Sequence, residues 1–145
     1  MDSQSWDARY ASADSVWSLE PNQFVVEYLR DLSSGSMIDV AGGEGRNALW
    51  FAMRGWHVEN VDFSQVALNR FLQRADDADV QGLCTATCAD VAREVEFSSK
   101  DVDLGVIAYL HNLKQTLTMY SLMERHSCWF PIRLHSLVKL TGRYC

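Results

Sequence analysis

The segment Met37-Ile38-Asp39-Val40-Ala41 is a short apolar run that breaks into three glycines within four residues, Gly42, Gly43 and Gly45, and resumes at Arg46 as a helix pattern. A buried strand that turns sharply into a helix fits that order. Glycine reaches positive φ without a steric penalty and leaves room for a ligand beside the first turn of the helix. Met37 to Ala48 therefore reads as a cofactor loop, and the rest of the chain must supply a sheet around it.

Downstream, His57 to Val61 reads as a second strand ending in Asp62. Ser64 can cap a helix whose apolar stripe is Ala67, Leu68, Phe71, Leu72 and Ala75. Leu83 to Ala89 is a third strand, delivering Asp90, and a weakly helical piece follows around Val91 to Phe97. Val102 to Leu110 is the most hydrophobic strand, with the near-continuous apolar run of a strand buried on both faces. Upstream, Asn22 can cap a helix carrying Phe24, Val25, Tyr28, Leu29 and Leu32, which Ser33-Ser34-Gly35 stops. Strands alternating with helices predict an α/β protein with a Rossmann-like, doubly wound parallel sheet. Ligands of such sheets sit beyond the carboxyl ends of the strands. Asp39, Asp62, Asp90 and the group Tyr109-Leu110-His111 are expected there.

A chain of 145 residues is the size of one domain and buries roughly 68–70% of its unfolded surface. The net charge of −6 opposes a nucleic-acid footprint, which needs clustered Lys and Arg. No run reaches membrane-spanning length, and the polar N-terminus lacks the apolar core of a secretory signal, so a cytoplasmic protein with small-molecule partners is expected. Cys84, Cys88, Cys128 and Cys145 lack the spacing of a disulfide or zinc framework and read as free thiols, with no metal site expected. His57, His126 and His135 have no partner visible in the sequence.

From His111 the character changes: residues 1–110 carry 8 basic and 18 acidic side chains (−10), whereas 111–145 carry 5 and 1 (+4). Leu113, Leu117 and Tyr120 suggest a helix, and Ile132, Leu134, Val138 and Leu140 alternate like a strand. A shortened or atypical C-terminal part is expected. It would leave the fourth strand's edge open unless Ile132–Leu140 pairs with it or a partner subunit covers it.

Gly43-Glu44-Gly45-Arg46-Asn47-Ala48 satisfies the pattern G-x-G-x-x-G/A, and Asp62 follows Gly43 by 19 residues, as in a dinucleotide fingerprint. Asp39 and Glu44, however, place carboxylates where a pyrophosphate would lie. S-adenosylmethionine has no phosphate and carries a sulfonium and an ammonium, for which acidic neighbours are favourable. Asp62 can accept from ribose hydroxyls with either cofactor.

The series Asp39-Val40-Ala41-Gly42-Gly43-Glu44-Gly45, Asp62 and Asp90 resembles class I S-adenosylmethionine-dependent methyltransferases. Trp6-Asp7-Ala8-Arg9-Tyr10, Glu20-Pro21-Asn22 and Gly43 to Ala48 resemble the small group related to tellurite-resistance and thiopurine methyltransferases. The resemblance covers about residues 5–112 and departs at Ala41, where many members have glycine; a methyl group is small, so little loss is expected. It implies a methyltransferase acting on a small molecule, with a catalytically inactive cofactor-binding or regulatory module as the competing reading and an NAD-binding protein as a third. It further implies that Asp39 and the backbone of Ala41, Gly42, Gly43 and Gly45 hold the methionine end and Asp62 the ribose. Asp90 and Val91 would take the adenine edge, with Phe63 against the ring and Tyr109 lining strand four. Trp6, Tyr10 and Trp17 would form an N-terminal cover, equally readable as plain packing, and His111 is a candidate base. The resulting division is a lid segment and helix over 1–35, a cofactor-binding core over 36–112 and a tail over 113–145.

Overall fold

Met37 to Val40 are all buried, as the central strand of a parallel sheet covered on both faces must be. In the computed structural model, which describes residues 2–12, 18–91, 101–108, 133–134 and 137–140, this strand is β1 (Ser36–Val40). It pairs in parallel with β2 (His57–Asp62) on one side and β5 (Leu104–Ala108) on the other. β3 (Cys84–Cys88) flanks β2 and β7 (Leu137–Leu140) flanks β5, giving the order β3-β2-β1-β5-β7. The chain steps from β1 through β2 to β3, then returns to the far side of β1. That reversal puts the topological switch point at the carboxyl end of β1, where residues 41–45 lie.

The helices α2 (Gln23–Leu29), α3 (Arg46–Ala52) and α4 (Gln65–Asp77) supply the core that packs with one face of this sheet. Val25, Leu29, Ala48, Phe51, Phe71 and Ala75 form one cluster with Met37, Val58, Leu104 and Val106. The anticipated caps are present: Asn22 Oδ1 accepts from the Phe24 N–H at 2.8 Å and Ser64 Oγ from the Ala67 N–H at 3.2 Å. Leu72 and Leu32, expected on buried stripes, are exposed. Leu32 lies three residues past the last helical residue, and Leu72 sits at the margin of the α4 stripe.

Two sequence expectations are revised. The hydrophobic segment Val102 to Leu110 is not one strand: it bends at Asp103 between β4 (Asp101–Val102) and β5. Asp103 accepts from the Ser36 N–H at 2.8 Å and from its hydroxyl at 3.0 Å, which ties the bend to the start of β1. The edge of β5 is covered within the chain by β7, in the register Gly105↔Leu137 to Ala108↔Leu140. The segment 132–140 contributes two short strands rather than one, because β6 (Arg133–Leu134) pairs with β4 instead. The pieces expected around Val91–Phe97 and Leu113–Tyr120 fall outside the described residues, apart from Val91.

Ala41 adopts φ +56, in the left-handed region. The penalty of a Cβ here is conformational, on the order of 1 kcal/mol. Ala41→Gly is therefore expected to raise the urea midpoint by an amount corresponding to about 0.5–1 kcal/mol with an unchanged slope. A lower midpoint would show that the Ala41 methyl makes packing contacts worth more than its backbone costs.

Candidate cofactor site

The loop after β1 is held from below by β2. Gly42 N–H donates to Val61 O at 3.2 Å, Gly45 N–H to Gly42 O at 3.0 Å, and Gly43 N–H to Asp62 Oδ2 at 2.9 Å. Asn60 Nδ2 donates to Gly43 O at 2.9 Å, clamping the loop from the middle of the strand. Sequence reasoning missed Asn60. Its one signal was an amide inside an otherwise strand-like run, beside Glu59. Gly43 and Gly45 have φ +57 and +73, so both use the freedom the sequence implied. A Cβ on Gly43 would lie 2.6 Å from the Tyr10 hydroxyl, and one on Gly42 would collide with Asn60 Oδ1 and stand 2.9 Å from the Asp39 carboxyl.

Asp39 and Asp62 are both buried at the carboxyl ends of neighbouring strands. Asp39 Oδ2 accepts from the Ala48 N–H at 3.3 Å, while Oδ1 has no partner. Burial pushes the Asp39 carboxyl from 3.8 up to about 7; the Ala48 N–H and the Arg46 guanidinium oppose that rise and Asp62 adds to it. Burial also pushes Asp62 upward, against the backbone N–H groups of Ser64, Gly43 and Phe63. Its two oxygens accept from Gly43 and Ser64, each at 2.9 Å, so the carboxylate is fixed in one orientation.

Glu44 departs from its expected role. Rather than facing a cationic ligand, it is buried against Arg70 at 2.9 Å and Arg74 at 3.4 Å, both from α4. Burying a charged acid is costly unless it is paired, and the two arginines pair Glu44. Glu44 thus anchors the loop to α4, leaving Asp39 and Asp62 as the acids beside the glycines.

Phe63 is half-buried directly after Asp62, and Asp90 and Val91 follow β3, where the Ala89 N–H donates to Asp62 O at 2.9 Å. Asp90 is exposed and Val91 partly so. The structure thereby brings Asp39, residues 41–45, Asp62, Phe63, Asp90 and Val91 to one end of the sheet. Tyr109, Trp17 and His111 fall outside the described residues.

Over this end lies α1 (Ser3–Ala11), capped by Asp2. Asp7 Oδ1 accepts from the Ser64 hydroxyl at 2.5 Å and from the Val66 N–H at 3.4 Å, which fastens α1 to the start of α4. Tyr10 is buried over Gly43, Trp6 packs on Tyr10 with centroids 5.6 Å apart, and Arg9 lies 5.1 Å from the Trp6 ring centre. Among the described residues, no helix is long and apolar enough to cross a membrane, and no group of three or more His, Cys, Asp or Glu side chains could hold a metal ion.

The methyltransferase-domain family matches residues 37–126, more than half of the chain and the whole loop-bearing half of the sheet. The chain belongs to this family. No protein of curated function matches it at the sequence level. Solved structures share the fold of this methyltransferase domain. A glycopeptide N-methyltransferase bound to sinefungin is 22% identical, with a TM-score of 0.62 over 79% of this chain and 48% of its own. A S-adenosylmethionine-dependent methyltransferase from Thiobacillus denitrificans bound to S-adenosylhomocysteine is 17% identical, with a TM-score of 0.64 over 90% and 52%. A geranyl diphosphate C-methyltransferase from Streptomyces coelicolor A3(2) is 17% identical, with a TM-score of 0.59 over 71% and 39%. The chain therefore spans about half the length of the structures it matches, or less.

Proposed function

We propose that this methyltransferase domain binds S-adenosylmethionine and transfers its methyl group to a small-molecule acceptor. The observation that carries the reading is the pairing of a buried acid bearing an unpartnered oxygen, Asp39, with a glycine loop whose amides are already committed. A pyrophosphate needs free N–H groups and no adjacent negative charge. Here the N–H groups of Gly42, Gly43 and Gly45 are spent on Val61, Asp62 and Gly42, and two carboxyls lie beside them. That chemistry fits an ammonium and a ribose and disfavours NAD.

Asp39 would hold the methionine ammonium and Asp62 the ribose hydroxyls, with Phe63, Asp90 and Val91 toward the adenine. The cofactor supplies a methyl group on a sulfonium, which an acceptor displaces once held in line and close. The chain's part is then to position and to exclude water; the Trp6–Tyr10 segment of α1, packed over Gly43, would do the latter. A thiol or oxyanion acceptor needs little further help, whereas an amine or hydroxyl gains from a base, for which His111 is the candidate. A small acceptor accords with the resemblance to the tellurite-resistance and thiopurine group. Acceptors named for the solved relatives range from a glycopeptide to geranyl diphosphate.

Titration calorimetry with S-adenosylmethionine, S-adenosylhomocysteine and NAD tests the reading: the first two are expected to bind and NAD to be silent. Asp62→Ala is expected to weaken S-adenosylmethionine binding by about tenfold or more, since it removes a charged hydrogen-bond acceptor worth about 1.5–3 kcal/mol. Binding of NAD alone would overturn the assignment. Methyl transfer to a panel of thiols, amines and oxyanions separates an enzyme from a silent binding module.

A further inference from the structure

Among the described residues, two buried side-chain atoms have no hydrogen-bond partner, Asp39 Oδ1 and Asn60 Oδ1. They belong to residues directly opposite each other in the β1–β2 register. Both side chains approach Gly42, because a single Cβ built there would collide with Asn60 Oδ1 and stand 2.9 Å from Asp39 Cγ and Oδ2. The orientation of the Asn60 amide is dictated by its other end. Gly43 O is an acceptor, so the Asn60 nitrogen must face it, which turns the Asn60 oxygen toward Gly42 and Asp39. Two acceptors left unsatisfied on opposed residues in a water-poor interior are costly, and native interiors rarely leave such groups so. One proton removes both deficits.

We propose that Asn60 is a positioning residue for the cofactor site: in the free protein Asp39 is a neutral acid that donates its proton to Asn60 Oδ1, and cofactor binding releases that proton to solvent. The inference rests on the proposed assignment of Asp39 to the methionine ammonium. On binding, the incoming cation takes the place of the proton as the partner of Asp39, so the site exchanges one positive charge for another. The charged groups facing Asp39 fit this exchange. Arg46, at the start of α3, favours the anion, while Asp62, at the end of β2, and burial favour the acid. Glu44 in the loop is held by Arg70 and Arg74 from α4, and β5 presents the apolar Val106 across from Asp39. Burial already holds the Asp39 carboxyl near 7, where either state is readily reached.

Two measurements test this. In the free chain, carbon-detected NMR of the Asp39 carboxyl is expected to titrate near 7; titration near its ordinary value would overturn the shared proton without reference to any cofactor. Calorimetry with S-adenosylhomocysteine, in buffers of different ionisation enthalpy, is expected to show release of about one proton per ligand below the Asp39 midpoint. Affinity is then expected to fall about tenfold per pH unit on further acidification. Asn60→Ala removes the acceptor and is expected to move the Asp39 midpoint down, whereas Asn60→Asp adds a like charge and is expected to move it up. A residue that merely braces the loop would lower affinity equally at every pH and leave the midpoint in place, and that result would overturn the proposal. If S-adenosylhomocysteine fails to bind at any pH, the functional assignment falls, and the proton release on binding falls with it; the Asp39 titration in the free chain still decides the shared proton.

Discussion

Asp39→Asn is expected to make the free chain more stable at about pH 8, by on the order of 2–4 kcal/mol, while weakening S-adenosylmethionine binding about tenfold or more. The stability effect follows from the direction of the Asp39 shift. Its carboxyl goes from 3.8 to about 7 on folding, so between those values the folded chain binds more protons than the unfolded one and stability falls as pH rises. Above about 7 the full cost of an anion in the core is present. It shrinks as pH falls through that value and is absent below the unfolded value. An asparagine has no charge to bury. Its oxygen can accept from the Ala48 N–H and its nitrogen can donate to Asn60 Oδ1, satisfying the atoms that are now unpartnered. Denaturant melts at about pH 8 and about pH 4 check the sign: the variant's advantage should be present at the first and largely gone at the second. Equal stability at pH 8 would mean that the Asp39 anion is compensated in the free chain by groups other than those seen here. Loss of ligand affinity alongside a gain in stability is the pattern expected of a residue kept for function.

The second large effect is expected at Gly45. Its φ of +73 disfavours any side chain, and a Cβ would run into the ring of Phe71, with Cγ at 2.7 Å. Phe71 is fully buried and cannot swing aside without disturbing the core it shares with Ala48 and Val58. Left-handed strain of about 1–2 kcal/mol and overpacking of about 1–3 kcal/mol together put the cost of Gly45→Ala at about 2–5 kcal/mol. A single domain has only about 5–15 kcal/mol in total. Gly55 serves as the control, since its φ is +85 but nothing lies within 4 Å of a Cβ there. Gly55→Ala should therefore cost the backbone part alone. Similar thermal midpoints for the two variants would show that Phe71 yields and that the loop is not packed as tightly as its geometry indicates.

Both effects belong to a loop whose nature was legible before any coordinate. Three glycines after an apolar run, with Asp62 nineteen residues beyond Gly43, placed a strand, a turn and a helix in order, and two of the glycines do take positive φ. The Asn22 and Ser64 caps were equally legible, because capping is a local interaction between a short polar side chain and the next few amides. Charge pairing is not local. Glu44 stands beside the glycines in the sequence, where it reads as a partner of the ligand. Its actual partners, Arg70 and Arg74, are 26 and 30 residues away on α4.

The pattern of alternating strands and helices, the glycine loop and the acids at the strand ends were determined by the sequence alone, since each depends on residue type and spacing within about one element. Three matters were decided only by the tertiary structure: that β7 covers the edge of β5, that Glu44 turns away to α4, and that Asn60 faces Asp39 under the loop. Each depends on which residues distant in the chain become neighbours across the sheet. Parallel strands are joined only through long crossovers, so their register is set by the packing of the whole core and by no local signal.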